Sequence, residues 1–333
     1  LTISQGTLDV SATDYQINVG GIWTNTGGSS RFTARNGTVV FDGGDTTLAS
    51  GGSGADKAFY NLTKSGTGIL SFGAATRADN TLTIGSGNSV DLSGFDLVAA
   101  TAGSIDMIDN TSTLFLRGSE TITNVSMDTG AGLVHYNGNT SQTGLAAGDS
   151  YFDLRLDNTQ DLSAVTWTLD APLTANGTIT IDQYNTLATA NNNVTVGASF
   201  LNSGTFTPGT ATVDMTGSGT LTGGTFYDYI KSTGGTVTLG SALAVSRDLA
   251  ITGGTLDVSA SDYQVTVGRN WTNSVGAGGF TPQNGTVVLS TSAVADVTGH
   301  NSFYQLQSTV GGKTIRFGAG DTQRIGTGGA LTL

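Results

Sequence analysis

Apolar and polar residues alternate over short stretches throughout the chain, as in Thr81-Leu-Thr-Ile84, Thr178-Ile-Thr-Ile181, Val194-Thr-Val196, Thr236-Val-Thr-Leu239 and Val265-Thr-Val267. A period of two places Leu, Ile and Val on one face and Thr on the other, the pattern of a half-buried strand, and no stretch carries helical periodicity. Between these stretches lie turn-forming clusters such as Gly43-Gly-Asp45, Gly85-Ser-Gly87, Asn137-Gly138 and Gly311-Gly312. Their spacing predicts strands recurring about every 8 to 12 residues.

The pattern itself recurs. Leu1 to Gly20 returns as Leu249 to Gly268, and the match runs on through Trp23-Thr-Asn25 and Trp271-Thr-Asn273 to Asn36-Gly-Thr-Val-Val40 and Asn284-Gly-Thr-Val-Val288, with roughly 25 of the first 41 positions identical. Parity along the strands predicts that Leu8, Val10, Ile17 and Val19 point inward, with Leu256, Val258, Val265 and Val267 as their counterparts. More diverged copies share the same punctuation. An aromatic pair appears at Phe59-Tyr60, Tyr151-Phe152, Phe226-Tyr227 and Phe303-Tyr304, each preceded by a short glycine-led strand such as Gly37-Thr-Val-Val-Phe41 or Gly132-Leu-Val-His-Tyr136. The units so defined are 1–81, 82–172, 173–248 and 249–330, with 331–333 opening a further one.

Short strands at this spacing suit a sandwich, a propeller or a β-solenoid. A propeller tolerates units of unequal length poorly, and a row of sandwiches needs linkers, whereas Leu249-Ala-Ile251 runs straight into Gly253-Gly-Thr255. The expected fold is therefore all-β, a right-handed parallel β-helix (β-solenoid) built from about four degenerate repeats of roughly 80 residues, in one continuous domain spanning 1–333. With three strands and about 25 residues per coil, roughly 13 coils are expected.

Composition sharpens this picture. Glycine supplies 50 of 333 residues, proline 3, and Glu120 is the sole glutamate, so exposed helix formers are nearly missing. The formal charge of -12 leaves no basic stripe for phosphates, which speaks against nucleic acid as a partner. Cysteine is absent, which excludes disulfides, thiolate metal sites and a cysteine nucleophile. No apolar run is long enough for a membrane span. Leu1 opens inside a repeat without an initiator Met, so the sequence reads as a processed or excised part of a longer product.

The motifs Asn-Gly-Thr-Val-Val, Phe-Tyr-x-Leu, Gly-Gly-Thr-Val-Thr-Leu and Gly-Thr-Leu-Asp-Val resemble repeats of large secreted bacterial β-solenoid surface proteins of the filamentous haemagglutinin and autotransporter-adhesin type. The resemblance covers most of the chain. It implies export, a β-solenoid, and a role in adhesion, matrix or surface coating, and it transfers no catalytic residue.

Candidate chemistry rests on aspartates. Asp42 with Asp45, Asp91 with Asp96, Asp106 with Asp109, and Asp153 with Asp157 and Asp161 are the closest groupings, and paired carboxylates can serve as acid and base or hold Ca2+. Asp also shapes turns, and Asp9 with Asp257 and Asp14 with Asp262 recur with the repeat, which favours the turn role. Gly51-Gly-Ser-Gly-Ala-Asp56 matches a calcium-loop pattern once, and His135 and His300 stand alone. Trp23, Trp167 and Trp271, with Tyr15 and Tyr263, can stack on sugars if exposed, but Trp23 and Trp271 share a repeat position, which favours packing.

The reading is a non-enzymatic extracellular or cell-surface structural protein, a fibre segment or adhesin stalk that stacks end to end. No catalytic, cofactor or metal residue is assigned. The expected partners are other copies of the chain or further repeats of the same polypeptide, with surface glycans as a further candidate. The alternative is a carbohydrate-active β-helix enzyme or a carbohydrate-binding module, for which clustered carboxylates beside an exposed aromatic in a groove would speak.

Overall fold

The structure, a computed structural model, describes residues 1–158, 162–290 and 293–333. It is all-β, a β-solenoid of about 16 turns, and among the described residues the one helical segment is the 3-10 turn Ala277–Gly279. The chain divides into two compact units, Leu1–Ser163 and Ala164–Leu333.

In the first unit, strands Thr2–Ile3, Trp23–Asn25, Thr46–Ala49, Ile69–Phe72, Ser89–Asp91, Thr113–Leu116, Leu133–Tyr136 and Asp153–Leu156 lie in that order in one parallel sheet. A second face stacks Ile17–Val19, Thr38–Phe41, Phe59–Lys64, Thr76–Ile84, Leu97–Met107 and Ile122–Ser126, and Thr7–Asp9 pairs with Arg31–Thr33 on a third. The second unit repeats the plan. One of its faces runs through Leu173–Ala175, Val194–Val196, Thr212–Met215, Asp228–Lys231, Leu249–Ile251 and Trp271–Asn273.

Alternation along each strand becomes columns across the coils. Leu173, Val194, Val213, Tyr229, Leu249 and Trp271 are consecutive partners in register, and all are buried. Each such side chain contributes about 1.5–3 kcal/mol by leaving water. Because the parallel ladder keeps the register, the apolar parity of one coil meets that of the next.

Many of the coils are shorter than the expected 25 residues. Ile69 is one strand-step below Ser89 in register, and Gly219 below Val237, so more turns fit into the chain than the roughly 13 expected from a coil of about 25 residues. Corners contract because the backbone turns within a few residues, often at a left-handed position. At Gly299 (φ +84°) an added Cβ would lie 1.8 Å from the Asn273 carbonyl oxygen, so only glycine fits there.

The predicted inward set holds fully in one copy and partly in the other. Leu256, Val258, Val265 and Val267 are at most 1% exposed, and Val10 and Val19 are buried, but Leu8 and Ile17 are half-buried. Leu256 has Val237 beside it in one coil and Phe280 in the next, whereas Leu8 has Phe32 as its ladder partner.

Candidate functional site

The two matched segments build the same constellation. Asp9 Oδ1 accepts from the Ser11 N–H at 2.8 Å, and Asp257 Oδ1 from the Ser259 N–H at 2.8 Å. One coil on, Asp14 accepts from the Asn36 N–H at 3.0 Å and Nδ2 at 3.3 Å, and Asp262 from the Asn284 N–H at 2.8 Å and Nδ2 at 3.3 Å. Ser11, Asp14, Ser259 and Asp262 all take positive φ. These aspartates thus form turns within a coil and tie it to the next.

The same device recurs with other acids. Asp45 accepts from the Ile69 N–H at 2.9 Å, Asp79 from Ala100 at 2.7 Å, Asp96 from Thr121 at 2.7 Å and Asp128 from Met107 at 3.0 Å. In the second unit it becomes a continuous row: Asp228 takes the Asp248 N–H at 3.1 Å, Asp248 that of Asn270 at 3.2 Å, and Asn270 that of Asp296 at 3.1 Å. Arg247 grips Asp228 with Nε (2.8 Å) and Nη2 while stacking over Tyr227 at 4.8 Å, and Arg269 grips Asp248 in the same bidentate way.

The candidate groupings are distributed through this system. Asp42 accepts from Asn18 Nδ2 at 3.0 Å and Asp91 from the Ser93 N–H at 2.7 Å, while Asp109 takes the Thr111 N–H at 2.8 Å and Asp106 is exposed. Asp157 lies 3.2 Å from His135 Nε2 and 3.3 Å from Arg155, and Asp153 is half-buried two residues before Arg155 on strand Asp153–Leu156. Asp161 lies outside the described residues. Among the described residues, no three His, Cys, Asp or Glu side chains converge as metal ligands would. In the calcium-like loop, Asp56 faces the Lys57 ammonium at 3.3 Å, which places a cation where a metal would compete. His300 Nδ1 accepts from the Thr322 N–H at 2.9 Å at the surface.

These ties set the acid behaviour of the fold. The bidentate Arg35 contact, with help from the Ser11 N–H, holds Asp9 down at about 2. Hydrogen bonds from Ser86 and Thr111 lower Asp109, and Arg316 lowers Asp296. Burial pushes Asp248 up, but Arg269, the Asn270 N–H and Arg247 together carry it below its ordinary 3.8. Folded values below unfolded ones mean stability that is present above the unfolded value and lost as pH falls through the folded one. Thermal melts followed by circular dichroism should therefore give a midpoint that is steady down to about pH 5 and falls between about pH 4 and 2. A midpoint that holds or rises across that window would contradict the assignment.

All three tryptophans are 0% exposed, so no indole face is open to a sugar, while Tyr15 is 64% exposed. Trp23 packs on Phe32 and Phe59 at 5.0 and 5.3 Å, and Trp271 on Phe280 and Phe303 at 4.8 and 5.4 Å. Over the first cluster lies a groove of about 310 Å3 edged by Arg31, Arg35, Asp56, Tyr60 and Asp79. At the matching place in the second copy a groove of about 290 Å3 is edged by His300, Asn301, Ser302 and Arg324. In the first groove Asp79 is held by Arg77 at 2.7 and 3.1 Å and Asp56 by Lys57.

One feature escaped the sequence reading, namely lysines in inward columns. Lys64 sits in register between Phe41 and Ile84, and Lys231 between Met215 and Ile251, both 0% exposed. Their ammonium groups reach turn carbonyls: Lys64 those of Gly43 (2.7 Å), Ser65 (2.9 Å) and Thr67 (2.7 Å), and Lys231 those of Thr233 (2.6 Å) and Gly234 (3.0 Å). Burial lowers the pKa of both. The signal was present in the sequence, since each lysine follows the aromatic landmark by five residues and Lys64 shares the parity of Leu62.

Comparison with protein-family models, with curated proteins and with solved structures finds no match to the chain. Among the described residues, no helix is long and apolar enough to cross a membrane.

Proposed function

We propose that the chain is a non-enzymatic, extracellular structural element of the adhesin-stalk or fibre type, whose partners are copies of itself or further repeats of one polypeptide. The observation that carries this reading is the use made of the acids. Carboxylates that a hydrolase or lyase would leave free in a cleft instead tie one coil to the next, and they do so at matched positions in both copies. A repeated inter-coil contact is also complementary head to tail, so a coil of one molecule suits a coil of another. Export and the surface location rest on the repeat resemblance.

Electron microscopy and sedimentation of the purified 333-residue chain test the self-association. Filaments that lengthen with concentration are expected. Monodisperse monomers at high concentration would remove self-assembly and leave covalent continuation of the repeats as the form of the stalk. Glycan release or depolymerisation by the purified chain would overturn the non-enzymatic reading in favour of a carbohydrate-active β-helix.

A further inference from the structure

Two of the three buried indoles donate to an asparagine: Trp167 Nε1 to Asn185 Oδ1 at 3.0 Å, and Trp271 Nε1 to Asn301 Oδ1 at 2.8 Å. Trp23 Nε1, equally buried, has no acceptor. In the second copy Asn301 Oδ1 also receives Asn273 Nδ2 at 3.1 Å, whereas its counterpart Asn25 Nδ2, on a residue 3% exposed, has no acceptor either.

One exchange removes the acceptor that both donors share in the second copy, and Asn25 Nδ2 also lacks the carbonyl contacts that Asn273 Nδ2 makes to Gly276 and His300. Asn301 stands two residues before Phe303, and the residue two before Phe59 is Lys57. The surrounding aromatic packing is the same in the two copies. The asparagine is oriented the same way as well: Asn25 Oδ1 accepts from the Gly27 N–H at 3.3 Å as Asn273 Oδ1 does from Val275 at 3.1 Å, which leaves Nδ2 on the indole side. Asn25 Oδ1 is further occupied by Ser30 Oγ. Lys57, 6% exposed, donates to the Ser30 carbonyl and to Asp56 at 3.3 Å. The first copy has thus exchanged a built-in acceptor for a cation and kept the donors.

We propose that Trp23 Nε1 and Asn25 Nδ2 bind a small monovalent anion of halide size at the place that Asn301 Oδ1 fills in the second copy, with Lys57 supplying the compensating charge. An indole N–H, a carboxamide NH2 and an ammonium are donors only. A halide accepts from both donors at once and brings negative charge to the ammonium, whose carboxylate partner Asp56 is 45% exposed, whereas a water molecule brings no charge. A groove lined by Asp56, Ala58 and Phe59, the sequence neighbours of Lys57, lies beside the site.

The test uses the indole N–H signals in proton–nitrogen correlation spectra of the whole chain. Titration with sodium bromide should move one indole peak saturably, the peak that disappears in Trp23→Phe, and leave those of Trp167 and Trp271 still. Sodium gluconate at equal ionic strength should not reproduce the shift. Lys57→Asn, which copies the second segment, should weaken bromide binding by at least about tenfold, the value of one charge-assisted contact. Absence of saturation at Trp23, equal movement of all three indoles, or undiminished binding in Lys57→Asn would each overturn the site.

Discussion

Leu256→Asp is expected to be the most damaging single substitution on its face of the solenoid, lowering stability by about 4 kcal/mol or more. Leu256 is 0% exposed, with Val237 beside it in one coil and Phe280 in the next. A carboxylate there leaves water for a column of hydrocarbon, finds no cation, and removes the packing of the leucine as well. Two companions make the result diagnostic. Thr266→Asp changes a half-buried outward residue between Ala244 and Val288 and should cost less than about 1 kcal/mol. Leu8→Asp places the same change at the matching, half-buried position of the first copy and should fall between the two. Urea denaturation of the three variants checks the order. If Leu256→Asp and Thr266→Asp are equally tolerated, the inward parity of this strand is wrong.

Strand parity was legible in the sequence because it is local. A Thr-Val-Thr-Leu run displays its two faces whatever lies around it, and a column forms wherever successive coils keep their register. Matched motifs located the two copies and foretold that Asp9 and Asp14 serve turns, which the paired bonds at Asp257 and Asp262 share. Coil length was less legible, since it depends on how few residues a corner needs, and that is decided by backbone contacts such as Gly299 against the Asn273 carbonyl. The buried lysines were missed for a related reason. An inward ammonium is tolerable only if carbonyls of the following turn come to it, and the turn's path is not written in the alternation. The Lys57 and Asn301 exchange was visible as letters, but its meaning required seeing what Trp23 and Trp271 face.

That meaning can be tested in the copy where every partner is known. Asn301→Leu should destabilise the chain by about 3 kcal/mol, chiefly by orphaning Trp271 Nε1 in an interior site. Asn273 Nδ2 keeps the carbonyls of Gly276 at 2.8 Å and His300 at 3.3 Å, so it is spared most of the loss. The variant also removes Asn301 Nδ2 from Gln323 Oε1 (3.0 Å) and from the Gly299 carbonyl (2.9 Å), which keeps Gln323 Nε2 at 2.8 Å. Trp271→Phe alone should cost a cavity and leave Asn301 Oδ1 with Asn273. Together the two changes delete donor and acceptor at once, so the double variant should lose about 1–2 kcal/mol less than the sum of the single ones. Thermal and urea denaturation of the four proteins in the cycle give the coupling. Strict additivity would mean that a buried indole N–H is indifferent to its acceptor in this fold, and the unpartnered Trp23 would then say nothing about an anion. A clear coupling makes the first copy the exception that needs an acceptor from solution.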